Sequence, residues 1–341
     1  MTGILYALAS AVLFGLSAPI AKLLLGDVSP WLLAGLLYLG SGLGLAVLRM
    51  LRRSGEAGLQ RTDLPWFGGA VLFGGVIGPV LMLFGLAATP AGEASLLLNL
   101  ESVLTLGIAW LVFRENVDRR LLIGAAAIVA GAVVLSLPGE VAFGSGFGPL
   151  LIAAACLCWA IDNNLTRKVS AADPMQIAMV KGLVAGGANT ALAIATGAAW
   201  PAAGTLAAAG FLGFLSYGIS LTAFVLALRH LGTARTGAYY ATAPFLGAAV
   251  AILFLKEPVT LPFLGGGLLM AIGLWLHLTE RHQHEHAHEP MEHEHMHVHD
   301  AHHRHAHARG TPAEPHSHPH RHARLVHKHR HYPDLHHRHT H

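Results

Sequence analysis

Ten long apolar runs fill the first 280 residues of this chain, and nothing else in the sequence limits the fold as much. A bilayer core asks for about 20 apolar residues per helix. Runs of that length occur at approximately 3–25, 30–49, 65–88, 91–113, 121–138, 147–167, 174–197, 205–228, 234–255 and 260–279. They leave no room for a soluble catalytic domain, so the expectation is a polytopic all-α membrane protein and not an enzyme. The start, "MTGILYALASAVLFG", lacks a basic flank and leads into further spans, so it reads as a first transmembrane helix rather than a cleaved signal.

Basic residues give the expected orientation. With the N-terminus inside, the inner loops hold Arg49, Arg52, Arg53 and Arg61, then Arg114, Arg119 and Arg120, then Arg167 and Lys168, then Arg229 and Arg235. The outer side holds Lys22 and Lys256 alone. An even span count returns the C-terminus to the cytoplasm. This predicts a multi-pass protein of the bacterial inner membrane with both termini cytoplasmic.

The second half of the chain repeats the first. "FRENVDRRLLIGAAAIVAGAVVL" (113–135) resembles "FLKEPVTLPFLGGGLLMAIGLWL" (254–276), aligned at an offset of 142. That offset places Glu115 on Glu257, Gly124 on Gly266 and Gly131 on Gly273. "FGLSAPIAK" (14–22) matches "WAIDNNLTR" (159–167) at an offset of 145. Five spans per repeat is an odd number, so the copies should insert in opposite orientations, the arrangement common in secondary transporters. The expected units are 3–138 and 147–279, followed by a tail, 280–341. The chain has no GxxxxGK[ST] loop, and with it no sign of an ATP-driven engine. Gly40/Gly44, Gly74/Gly78 and Gly182/Gly186 have the small-xxx-small spacing of close helix crossings.

With an acidic residue closing the fourth and ninth spans, and glycine-spaced fifth and tenth spans, residues 3–279 resemble the EamA-type branch of the drug/metabolite transporter superfamily. The stretches that carry the resemblance are "SLLLNLESVLTLGIAWLVFRE", "CWAIDNNLTRK" and "LALRHLGTARTGAYYATAPFLGA". The resemblance implies a ten-helix basket with a central cavity, alternating access for small organic solutes, and a monomer or homodimer. One departure stands out. Ser102 lies opposite Pro244, so a kink supplied by Pro244 is expected to be missing from the fourth span.

Ionisable residues at membrane depth point to function by default. On a helical wheel of the fourth span, Glu101, Ser102, Thr105, Ser95 and Asn99 share one half, and leucines and Val103 share the other. That face should look into a cavity. A carboxyl group held there suits proton coupling, and a purely structural glutamate is an equal alternative. Asp162 and Lys181 sit at similar depth on adjacent antiparallel spans, with Asn163 and Asn164 nearby, and are predicted to form an ion pair, static or gating. Tyr217, Tyr239 and Tyr240 could stack on a solute or anchor helix ends at the interface. Glu115 and Glu257 read as structural or hinge groups. Cys156 and Cys158 point to different helix faces, which suits neither a disulfide nor a metal site.

The tail is a different material. All but two of the 25 histidines, His230 and His277, lie in residues 281–341, among prolines and mixed charges. It cannot bury enough apolar surface to order itself, so it is expected to be largely disordered. Imidazoles at H-x-H spacing are interchangeable ligands for Zn, Ni or Co. The candidates are His284, His286, His288, His293, His295, His297, His299, His302, His303, His305, His307, His316, His318 and His320. A functionless low-complexity tail and a pH-dependent polycation are the competing readings.

Two functions follow. One is a secondary transporter, in the export direction, of a small organic metabolite or drug-like solute, with the tail as an accessory. It needs no cofactor and no nucleic acid; its partners are solute, lipid bilayer and divalent transition metals. The other is a divalent-metal transporter that collects cytoplasmic metal on the tail, although the spans carry no close ligand cluster. A membrane-tethered metal store would leave the repeat without a purpose.

Overall fold

The computed structural model describes residues 2–51, 58–113, 117–136, 147–169, 172–224, 226–227, 239–279, 283–288, 291–297, 316–322 and 325–330. Among these, nine helices are long and apolar enough to cross a membrane, and a tenth, Ala243–Phe254, is shorter. The short one falls in the expected ninth span, which is described only from Tyr239 onward. Leucines and aromatics turned outward, such as Leu5, Leu111, Phe254 and Leu261, form an apolar exterior suited to lipid. Arg52, Arg53, Arg114, Glu115, Arg229, His230 and Arg235 lie outside the described residues.

The packing order is regular. Span two packs on seven, five on ten, four on nine, three on six and one on eight. Spans two and eight also touch, as do seven and three; so do four and six, and nine and one. Advancing every span by five maps this set of contacts onto itself. Glycines make the crossings close. In spans five and ten, a Cβ at Gly124 would lie 2.8 Å from the Gly273 carbonyl oxygen, and one at Gly131 would lie 2.7 Å from that of Gly266. These two contacts exchange under the 142-residue offset, and the two equivalent spans run antiparallel. Gly42 and Gly182 bring spans two and seven together in the same way.

Several spans are interrupted. Span one breaks at Leu16, between Thr2–Gly15 and Ser17–Leu24. Spans three and eight each contain a π-helical segment, Val71–Ile77 and Phe214–Ile219. Span nine turns at residues 241–242 ahead of Pro244. The expectation that span four lacks such a break is wrong, because it breaks at residues 98–99, between Ala91–Leu97 and Leu100–Phe113. No proline is needed there. The Asn99 side chain donates to the Leu96 carbonyl at 2.8 Å and Ser102 Oγ donates to the Asn99 carbonyl at 2.7 Å. Such local side-chain bonds compete with the helical ladder and bend it.

Beyond Thr279 the backbone shows four short strands, β1 (Gln283–His288), β2 (Met291–His297), β3 (His316–His322) and β4 (Leu325–Arg330). β1 pairs antiparallel with β4, and β2 with β3. To that extent the tail has regular backbone where its composition suggested none, since H-x-H alternation is itself a strand period. A two-stranded ribbon without an apolar face is marginal in water and adds no packed core. His299, His302, His303, His305 and His307 lie outside the described residues, as do the side chains of the other nine candidate ligands.

Candidate functional site

A cavity of about 120 Å³ lies among the spans. Both repeats contribute to it. Part of the lining is aromatic: Phe14 from span one, Tyr38 from span two, Tyr217 from span eight and Tyr240 from span nine. These rings touch in sequence. Phe14 stands edge-on to Tyr217 at 6.0 Å and lies 5.6 Å from Tyr240, while Tyr38 lies 5.3 Å from Tyr217. The lining also carries charge, with Glu101 from span four, Asp162 and Asn163 beside Trp159 from span six, and Lys181 from span seven.

Asp162 and Lys181 form the expected ion pair, and both side chains are largely buried. Thr166 supplies a further donor to Asp162, at 2.9 Å. The close approach depends on Gly74, where a Cβ would fall inside the Asp162 carboxylate. Gly74 sits in the π segment of span three, whose widened turns leave carbonyls without regular partners. Side chains take over. Tyr38 Oη donates to the Gly74 carbonyl at 2.7 Å and Trp159 Nε1 donates to it at 3.1 Å. Asn189, fully buried, donates to Gly75 and Val76 at 3.1 and 3.3 Å. The second π segment is tied to span one through serines: Ser216 Oγ donates to Leu13, and Ser10 and Ser220 bond each other's carbonyls.

Glu101 faces the cavity, and Asn163 Nδ2 donates to its Oε1 at 2.7 Å. Its expected neighbours on the polar face do not join it. Asn99 is buried against Met270 and Leu96, Ser95 bonds Ala91, and Ser102 turns back on Asn99. The break at residues 98–99 resets the helical phase, so positions on either side no longer share a face. Asn164 bonds its own helix at Ala160 and stays out of the cavity, as does Tyr239. Tyr217 and Tyr240 do line it.

Phe14, Tyr38 and Trp159 were missed by sequence reasoning. A signal was available, because the 145-residue offset lays Phe14 on Trp159, and the structure puts both at the cavity. Among the described residues no group of three or more His, Cys, Asp or Glu stands ready to hold a metal ion.

Two charged side chains tie down the junction of spans three and four. Lys22 Nζ donates to the carbonyls of Leu86, Ala87 and Thr89 at the end of span three. Glu257 accepts from the amides of Ala91 and Gly92, at 2.6 and 2.7 Å, at the start of span four. A carboxylate there satisfies orphan donors and meets the positive end of the helix dipole. This is a structural role for Glu257, as expected, and it ties two repeats together.

Known proteins share this architecture. The chain is similar to an uncharacterized transporter of Methanothermobacter thermautotrophicus, 28% identical over 301 residues, covering 80% of this chain and 85% of that one. A probable amino-acid metabolite efflux pump of Salmonella typhimurium is 31% identical over 177 residues, which span 51% of this chain and 56% of the relative. A solved crystal structure superposes with a TM-score of 0.63 at 20% identity, covering 82% of this chain and 99% of that one, and shares the fold. The EamA-like transporter family model matches residues 1–137 and again residues 146–279. This chain is a multi-pass membrane transporter of small solutes and belongs to the EamA-like transporter family.

Proposed function

We propose that the chain is a secondary transporter that exports a small organic metabolite by alternating access between two five-span units of opposite orientation, 3–138 and 147–279. The observation that carries this is the cavity lined by both units where interrupted spans meet. Interrupted helices at the junction of two repeats are where transporters bind and release their cargo. A cavity of about 120 Å³ is smaller than the roughly 300–1,000 Å³ of drug-sized pockets, which favours a metabolite over a bulky drug. Export is in line with the relative named as an efflux pump. The basic residues favour a cytoplasmic N-terminus, and with it a cytoplasmic tail binding Zn, Ni or Co as an accessory.

Growth of a deletion strain across toxic metabolites and metals tests the reading, with rescue by the full chain and by a chain ended at residue 280. An organic-solute phenotype rescued by both forms is expected. A metal phenotype rescued by the full chain alone would replace this reading with metal transport. No phenotype, and no altered accumulation of any solute, would remove the transport reading itself.

In the same proposal Glu101 couples solute movement to protons. Glu101→Gln should keep the fold and abolish the pH dependence of uptake into proteoliposomes. Unchanged pH dependence sinks the coupling role.

A further inference from the structure

The charges in the cavity do not balance. Its acids and bases are Glu101, Asp162 and Lys181, two carboxyls against one ammonium. Lys181 is spent on Asp162, with which it forms a buried ion pair. Glu101 accepts a hydrogen bond from a neutral amide, that of Asn163, and makes no ion pair among the described residues. An anionic solute would have to pull Lys181 from Asp162 and face Glu101 as well. A zwitterion would meet the same obstacle at its carboxylate.

The same cavity is lined by the contiguous rings of Phe14, Tyr217, Tyr240 and Tyr38. Ring faces attract cations, more strongly when water is excluded. Two of the three serines in the lining, Ser216 and Ser220, already donate to span one.

We propose that the solute this cavity selects is an organic cation, a protonated amine on a small apolar or aromatic body, held by the Glu101 carboxylate and the aromatic rings. The inference rests on the transporter reading and sharpens it. Uptake of three labelled probes with one ring and different charge decides it: 2-phenylethylamine, phenylalanine and 3-phenylpropionate, in proteoliposomes of the full chain. The amine should be carried with a kcat/KM at least about tenfold above the other two, the worth of one charge-assisted bond. Glu101→Gln should erase that preference and Glu101→Asp should keep it. Where Glu101→Gln fails to fold, the wild-type panel still decides. Equal or better transport of phenylalanine or phenylpropionate overturns the inference and leaves the transporter reading standing. Transport of none of the three also overturns it, and the growth assay then judges the transporter reading separately.

Discussion

The two halves of the spanning region agree in their scaffold and differ in their chemistry. Both carry a π segment in their third span, both break their fourth span, and both use glycines at the same offset to cross spans five and ten. Phe14 and Trp159, equivalent by sequence, both reach the cavity. The charged positions have no such partners. Asp162 lies where the first half has Ser17, and Glu101 lies where the second half has Ala243. Backbone geometry was kept in duplicate because both halves need it to pack. The ionisable groups were placed once each, and this is how a nearly symmetric frame holds an asymmetric site.

Removing a member of the asymmetric pair should have the largest effect. Lys181→Met leaves Asp162 buried without its cation, which should cost about 3–5 kcal/mol in unfolding from detergent. The double substitution Asp162→Asn with Lys181→Met should recover most of that stability. A single substitution as stable as wild type would mean that the pair is not buried as described.

The symmetric frame predicts equal responses instead. Gly124→Val and Gly266→Val occupy equivalent places, and their Cβ atoms would meet the facing strip at 2.5–2.8 Å and 2.6–3.0 Å. Each should destabilise by about 1–3 kcal/mol, and by similar amounts. Thermal unfolding of the two variants side by side checks this; a large disparity breaks the two-fold comparison in that pair of spans.

Much of this frame was legible in the sequence. Span positions follow from apolar length, the repeat from two offsets, and the Asp162–Lys181 pair from counting depth along adjacent spans. The helix breaks were not legible. A wheel at 100° per residue assumes an unbroken helix, so it put Ser95 and Asn99 on the face of Glu101, whereas the helix breaks at residues 98–99, ahead of Glu101. The π segments were equally hidden, since VLFGGVI and FLSYGI have no composition that separates them from ordinary apolar helix. What marks the first is a set of donors from other spans, Tyr38, Trp159 and Asn189, which only the assembled bundle brings near.

Those donors allow the smallest test of the comparison. In the first half the Gly74 carbonyl has two of them, Tyr38 and Trp159. In the second half Gly218, in the other π segment, accepts from Thr222 of its own span at 3.0 Å. The Gly74 carbonyl is therefore held by two tertiary bonds and the Gly218 carbonyl by a local one, while serines tie the second segment to span one. Tyr38→Phe removes one of two donors and buries no new orphan, so it should cost less than about 1 kcal/mol. Trp159→Phe alone should lose one hydrogen bond and some packing. The double variant leaves a buried carbonyl unsatisfied and should cost more than the sum of the singles, by about 1 kcal/mol, the signature of two donors sharing one acceptor. Strict additivity in the double-mutant cycle would show that Gly74 does not depend on this pair. The π segment would then be held by Asn189 and the packing of spans three and six.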